Sequence, residues 1–194
     1  MRASVFVGTS VDGFLARADG TFDFLSAGGS GEEPHGFEEF FATVDALVMG
    51  RSTYEVVLPF PEWPYGAKPV FVLSHRPLPP EPAGAVVERM AGEPAEVFSQ
   101  LAARGFGHVY VDGGRTIQAF LRAGLVERLV ISRVPVLVGE GIPLFGPLDA
   151  DVLLTHVATR TFAGGLVQSE YEVARSPEAD PQAAPTRYSP GHPP

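Results

Sequence analysis

The stretch Val109-Tyr110-Val111-Asp112-Gly113-Gly114-Arg115-Thr116-Ile117-Gln118-Ala119-Phe120-Leu121 constrains this chain more than any other. It opens as an apolar run of β-branched and aromatic residues, the composition of a buried strand. Two glycines interrupt it. Ile117, Phe120 and Leu121 then recur at i, i+3 and i+4, one face of a helix, and Gly124 stands where a helix ends. A strand that passes through a Gly-Gly turn into a helix leaves backbone N–H groups unpaired at the positive end of the helix dipole. Residues without Cβ let an anion approach those donors closely. The same glycines also suit a plain tight turn, since no complete dinucleotide or Walker pattern surrounds them.

A second segment repeats the arrangement. Asp45-Ala46-Leu47-Val48-Met49 reads as a buried strand and runs at once into Gly50-Arg51-Ser52-Thr53-Tyr54-Glu55. Ser52 and Glu55 have the spacing of a capping box, which predicts a capped helix start. Arg51 beside that start is an apt phosphate partner, because its guanidinium forks onto oxygens; a solvated Arg next to an ordinary cap is the alternative. A third strand, Lys68 to Leu73, ends at Ser74-His75-Arg76, a further polar set that otherwise reads as a surface turn. Such sets at strand C-terminal ends share one side of an open parallel sheet, where ligands bind.

The remaining elements follow in order. Ala3 to Val7 is a strand. The turn-rich loop around Asp12-Gly13 and Asp19-Gly20 is either a surface hairpin or a lid beside a cleft. Phe37, Phe40, Phe41 and Val44 lie on one face of a helix. Leu58 to Tyr65 is a proline-stiffened loop, and Gly84 to Arg89 a short strand. Glu93-Pro94 opens a helix whose buried face is Val97, Phe98 and Leu101. Leu125 to Val138 is a long apolar run broken at Pro135, and Gly139 to Gly146 a glycine-rich loop. Asp151 to Phe162 and Leu166 to Val173 are strands joined by Ala163-Gly164-Gly165. Strands alternating with helices and closed by a hairpin predict an α/β fold, mostly parallel with an antiparallel edge.

Composition sets the outer limits. A chain of 194 residues with 45% hydrophobic residues predicts one domain with a substantial core. That domain spans residues 1–175, and residues 176–194 form a Pro-rich disordered tail. The net charge of −9 argues against nucleic acid and anionic membranes as partners. The absence of cysteine excludes disulfides, thiolate metal sites and Cys nucleophiles, and no metal site is expected. No apolar run approaches the roughly 20 residues of a membrane span, and no signal peptide is evident. A cytoplasmic protein is expected.

In series, six segments make the chain resemble the dihydrofolate reductase-like superfamily, and within it the bacterial branch related to the riboflavin-biosynthesis reductase domain. They are Ser10-Val11-Asp12-Gly13-Phe14-Leu15-Ala16, Met49 to Glu55, Leu73 to Arg76, Val111 to Gly114, Gly124 to Leu129, and Pro135 to Phe145. The resemblance covers about residues 1–174. It implies a three-layer α/β/α fold around a mostly parallel sheet with a C-terminal antiparallel hairpin. It also implies an NADPH-dependent oxidoreductase that reduces a small heterocyclic, pterin-like or riboflavin-pathway-like, C=N or C=O substrate.

By the same resemblance, Gly50, Arg51, Ser52 and Thr53 hold the dinucleotide phosphates. Ser74, His75 and Arg76 lie by the adenosine and its 2′-phosphate. Gly113, Gly114, Arg115 and Thr116 cover the pyrophosphate and nicotinamide side, across a Gly-Gly bond that is often cis in dihydrofolate reductases. The loop 12–23 becomes the lid, and Asp12, Asp23 or Glu140 the proton relay or substrate anchor. A homodimer is implied too, with the apolar run 129–138 either its edge or an ordinary buried strand. One departure stands out. The acidic residue that holds the pterin in dihydrofolate reductases would fall near Gly28, between Asp23 and Glu32-Glu33, which argues against folate reduction. A nucleotide-binding or regulatory module without catalysis is the alternative.

Overall fold

The structure is a computed structural model and describes residues 1–29 and 35–174. The expected tail 176–194 and the pair Glu32-Glu33 lie outside the described residues. The strands are β1 (Arg2–Ser10), β2 (Phe14–Ala16), β3 (Ala46–Gly50), β4 (Pro69–Leu73), β5 (Val86–Met90), β6 (His108–Asp112), β7 (Arg128–Val134), β8 (Ile142–Pro143), β9 (Leu154–Thr161) and β10 (Val167–Val173). The helices are α1 (Phe37–Ala42), α2 (Arg51–Val57), α3 (Pro94–Ala103) and α4 (Gly114–Arg122), with a short 3-10 helix over Asp23–Gly28. Eight strands form one sheet in the order β5-β4-β3-β6-β1-β7-β10-β9, and β2 pairs with β8 apart from it. The strands from β5 to β7 run parallel, and β10 and β9 close the sheet antiparallel.

Both sheet faces are covered, which makes the parallel strands apolar on both sides. On one face α3 and α4 bring Val97, Leu101, Ile117 and Phe120 against Val5, Val48, Val109 and Ile131. On the other, α1 and α2 bring Phe40, Tyr54 and Val57 against Leu47, Met49, Val70 and Tyr110. Within the run 129–138, β7 reaches only to Val134 and is an interior strand, paired on one side by β1 and on the other by β10; residues 135–138 follow it outside the sheet.

Two local expectations change. Ser52 and Glu55 do not form a capping box: α2 begins two residues earlier than that box requires, Gly50 is its N-cap without a side-chain cap, and Glu55 instead accepts from Arg51 Nε at 2.7 Å. An arginine four residues before a glutamate finds it on the same helix face. The reciprocal box occurs at α3, where Glu93 and Glu96 each accept from the other's backbone N–H. The Asp12-Gly13 turn, in turn, does not fold back as a hairpin on β1. It carries β2 away to pair with β8.

At the opposite end of the sheet from these turns, His108 pins β6 to its neighbours. Its Nδ1 donates to the Thr43 carbonyl at 2.9 Å, so in the neutral ring Nε2 accepts from the Ser4 hydroxyl at 2.7 Å. Asp45 accepts from the N–H groups of Gly107 and His108 at 2.7 and 2.8 Å. Burial pushes the His108 pKa below the ordinary 6.5, because a charged imidazolium is disfavoured there. The unfolded chain takes up that proton before the folded one does, so His108 lowers stability as pH falls below its ordinary value. We predict that urea midpoints fall on going from pH 7.5 to pH 5. In His108→Gln that slope flattens, while stability at pH 7.5 drops by about 1–3 kcal/mol through the unpaired Ser4 hydroxyl.

Candidate active site

The strands β4, β3, β6 and β1 are consecutive neighbours and run the same way, so their C-terminal ends share one edge. Ser74-His75-Arg76, Gly50 to Thr53 and Gly113 to Thr116 follow three of these ends. The sequence-predicted cofactor residues therefore converge. The tightest join is between Gly113 and Thr53: a Cβ on Gly113 would lie 2.2 Å from Thr53 Oγ1, and the glycine also sits at φ +88°. Only glycine meets both conditions. A Cβ on Gly50 would lie 3.1 Å from Thr116 Oγ1, so α2 and α4 start side by side. Both starts have a glycine N-cap and no side-chain cap. Helix starts without a side-chain cap keep backbone N–H donors at the positive end of the dipole, the arrangement that suits a phosphate. No peptide bond among the described residues is cis, so the Gly113–Gly114 bond is trans here.

Arg51 is committed differently from a free phosphate clamp. Besides Glu55, its guanidinium donates to the Pro77 carbonyl, which ties α2 to the Ser74–Pro77 loop. That loop is a turn closed by Ser74, whose hydroxyl bonds the Arg76 backbone. His75, Arg76 and Arg115 are exposed. Arg51 and the two strand-end arginines therefore border one edge, with Thr116 buried between the helix starts.

Beside this edge lies a cavity of about 350 Å³. Its floor is the end of β1 and β6 (Phe6, Gly8, Tyr110 and Asp112), its walls come from α2 and Phe60, and its roof from β2, Phe22 and Leu25. Asp112 is the carboxyl in that lining. Burial pushes its pKa up to about 6 despite the Gly113 N–H donating to Oδ1 at 2.7 Å. Tyr110, in hydrogen-bonding contact with Asp112, gives its own proton to the Phe6 carbonyl at 2.7 Å. That contact and the Gly113 N–H both lower the Asp112 pKa, and burial outweighs them. With Oδ1 taken by Gly113, Oδ2 is the oxygen that carries the proton.

The three acids named from the sequence stand elsewhere. Asp12 is exposed and clamps the glycine-rich loop, accepting from the N–H groups of Val138 at 3.1 Å and Gly139 at 2.7 Å. The Ser10 hydroxyl and these backbone donors hold its pKa down to about 2. Asp23 pairs with Arg17 at 2.7 Å, and that partner lowers its pKa. Glu140 is exposed on the loop beyond the clamp. None of the three lines the cavity. Asp12 therefore positions the lid: with it, Val11 N–H donates to the Val136 carbonyl and Leu144 N–H to the Gly13 carbonyl, both at 2.9 Å.

The structure also shows why a carboxylate is missing at Gly28. A Cβ there would lie 2.8 Å from Val134 Cγ1 and 2.9 Å from Leu166 Cδ1, so no longer side chain fits. Asp112 is the cavity carboxyl that sequence reasoning passed over. Its signal was a single acid closing the apolar run Val109-Tyr110-Val111.

Comparison with known proteins agrees with this architecture. The model of the RibD C-terminal domain family matches residues 4–168. The uncharacterised Bacillus subtilis protein YwjB is 31% identical over 170 residues, spanning 86% of this chain and 95% of its own. A crystal structure from Shewanella sp. PV-4, provisionally named a riboflavin biosynthesis protein, superposes with a TM-score of 0.84 at 38% identity, covering 90% of this chain and all (100%) of that one. Dihydrofolate reductase from Enterococcus faecalis, complexed with NADP(H), shares the fold with a TM-score of 0.57 at 18% identity, over 89% of this chain and 94% of its own. The chain belongs to the RibD C-terminal domain family.

Proposed function

We propose that this protein is an NADPH-dependent reductase of a small heterocyclic C=N or C=O substrate. The observation that carries the reading is Asp112: a carboxyl held near pH 6 at the floor of an apolar cavity, directly beside two uncapped helix starts. The residues present fit a dinucleotide. Gly113 and Gly50 let the two helix starts lie side by side, and Arg51, Arg76 and Arg115 supply positive charge along the phosphate path. NADPH, when bound, supplies the hydride. The chain supplies the rest. The helix starts orient the phosphates, and the lid held by Asp12 and by the β2–β8 pair excludes water. Asp112 Oδ2 gives a proton to the substrate nitrogen or oxygen as negative charge develops there. The alternative of a module without catalysis drew its support from the glycine at the family's acid position, and Asp112 answers that need from a different strand.

The test is an NADPH titration with NADH alongside, followed by a screen for substrate-dependent NADPH oxidation. Saturable binding, tighter for NADPH, and turnover of a C=N or C=O compound are expected; binding of neither nucleotide overturns the reading. Arg51→Ala should weaken NADPH binding by about 1.5–3 kcal/mol if the guanidinium meets phosphate, with a smaller effect on NADH.

Asp112→Asn should lower kcat by about 100-fold or more. Because the acid form does the work, wild-type kcat should fall as pH rises through about 6, and the variant should lack that limb. The same substitution should raise stability. A carboxyl whose folded pKa is raised favours folding at low pH and opposes it once pH passes the folded value. Chemical denaturation should therefore find Asp112→Asn more stable than wild type by about 1–3 kcal/mol at pH 8, with no gain at pH 4.

A further inference from the structure

Tyr110 and Asp112 are two residues apart on β6, so their side chains leave the same face of the sheet. Both stand at the floor of the cavity beside the helix starts. The ring of Tyr110 is fixed: it is 5% exposed, and it packs T-shaped against Phe40 with centroids 5.2 Å apart. Its hydroxyl proton alone is free to move, because that proton turns about the C–O bond without displacing a heavy atom. The acceptor of that proton is the Phe6 carbonyl at 2.7 Å, and the Asp112 carboxyl is the hydroxyl's other neighbour. Burial pushes the Tyr110 pKa well above the ordinary 10, so the hydroxyl keeps its proton in either state of Asp112.

The hydrogen-bonding needs of Asp112 differ between its two forms. As an acid, its Oδ1 accepts from the Gly113 N–H at 2.7 Å and its Oδ2 carries a proton. As a carboxylate it has two oxygens that only accept, and Gly113 covers one of them. A carboxylate at the floor of an apolar cavity is costly unless donors reach it. The titratable groups around it are Tyr110 on its own strand and Tyr65 from the loop after α2. No Lys, Arg or His is among the groups that shift it. Tyr65 feels Asp112 through charge alone, whereas Tyr110 is within hydrogen-bonding reach of it.

We infer that Tyr110 is a positioning residue for Asp112: its hydroxyl proton rests on the Phe6 carbonyl while Asp112 is an acid, and turns to the carboxylate as the acid's proton leaves. This rests on the reductase reading for where that proton goes. In the step itself the Oδ2–H bond breaks, its electron pair stays on the carboxyl, and the proton passes to the substrate nitrogen or oxygen. Tyr110 keeps its own proton and changes only its acceptor. A hydrogen bond to a charged oxygen is roughly twice as strong as one to a neutral carbonyl, so the exchange is favourable in the ionised state and not before. The hydroxyl is thus a donor already in place where charge develops, and it stabilises the product of proton transfer more than the starting acid.

A carboxyl-carbon NMR titration of the full-length protein, labelled at aspartate, follows Asp112 directly and needs neither cofactor nor substrate. One resonance should titrate with a midpoint of about 6 and vanish in Asp112→Asn. In Tyr110→Phe that midpoint should rise above about 7, a tenfold or greater gain in proton affinity. Tyr65→Phe, which removes the other nearby hydroxyl, should leave it in place. Wild-type protein supplies a second measurement that needs no variant: the Cζ resonance of Tyr110 should shift with the same midpoint as Asp112, as the hydroxyl changes acceptor. A midpoint that Tyr110→Phe lowers or leaves unchanged overturns the inference, and so does a Tyr110 Cζ resonance that stays flat through it. The proton-donor reading fails in a different way. A wild-type midpoint of about 4 that still rises in Tyr110→Phe would remove Asp112 as the acid and leave the exchange of acceptors standing. A midpoint of about 6 that ignores Tyr110→Phe would remove the exchange alone.

Discussion

The close approach of Gly113 to Thr53 is the constraint on which the site depends. A hydroxyl occupies the volume that a side chain at position 113 would fill, so two helices that begin on neighbouring strands can start side by side. Parallel pairing of β3 with β6 brings the strand ends level, and the glycine lets the backbone turn there with positive φ. From this single contact follow the adjacency of two uncapped helix starts, the burial of Thr116, and the position of Asp112 one residue before the turn. A methyl group at 113 would force the helices apart and uncover the Asp112 carboxyl.

The order of strands and helices was legible because each element carries its own period. The i, i+3, i+4 pattern of Ile117, Phe120 and Leu121 gave α4, and the continuous apolar run Ala46–Met49 gave a strand buried on both faces. The convergence of the three polar sets was legible too, since parallel topology alone puts strand C-terminal ends on one edge. What the sequence did not show depended on distance in space. Asp12 looks like a candidate acid beside a lid, yet its partners are the N–H groups at 138 and 139, more than a hundred residues away. Ser52 and Glu55 have capping-box spacing, but the helix starts at Arg51 and a charged partner on the same face outcompetes a backbone N–H. Asp112 was in view as a letter only, because it is burial in the folded chain that lifts its pKa.

The lid and the cavity wall differ in how they are held. The wall is part of the sheet and of α2, with Tyr54 and Val57 packed into the core. The lid is fastened through the Asp12 carboxylate, the short β2–β8 pair and a few backbone bonds, with most of its side chains only half-buried. A segment with little buried apolar area opens at low free-energy cost. Asp12 fixes the base of the loop beside β1, and the Arg17–Asp23 pair and the Thr21–Asp19 bonds hold its far end.

Placing the acid on β6 rather than on the segment after the lid has a mechanical consequence. Gly28 lies outside the loop 12–23, on the 3-10 helix packed against Val134 and Leu166. Asp112 sits at the end of a strand paired on both sides, by β3 and by β1, and is held by the Gly113 N–H and the Tyr110 hydroxyl. Its position is fixed by the sheet, so the lid is free to select and enclose a ligand without carrying the proton donor. Gly28 serves packing: with no side chain, it lets Val134 and Leu166 close against the 3-10 helix. On the proposed reading, proton delivery from the strand, enclosure by the loop and phosphate binding at two helix starts are divided among separate elements that meet at Asp112 and Gly113.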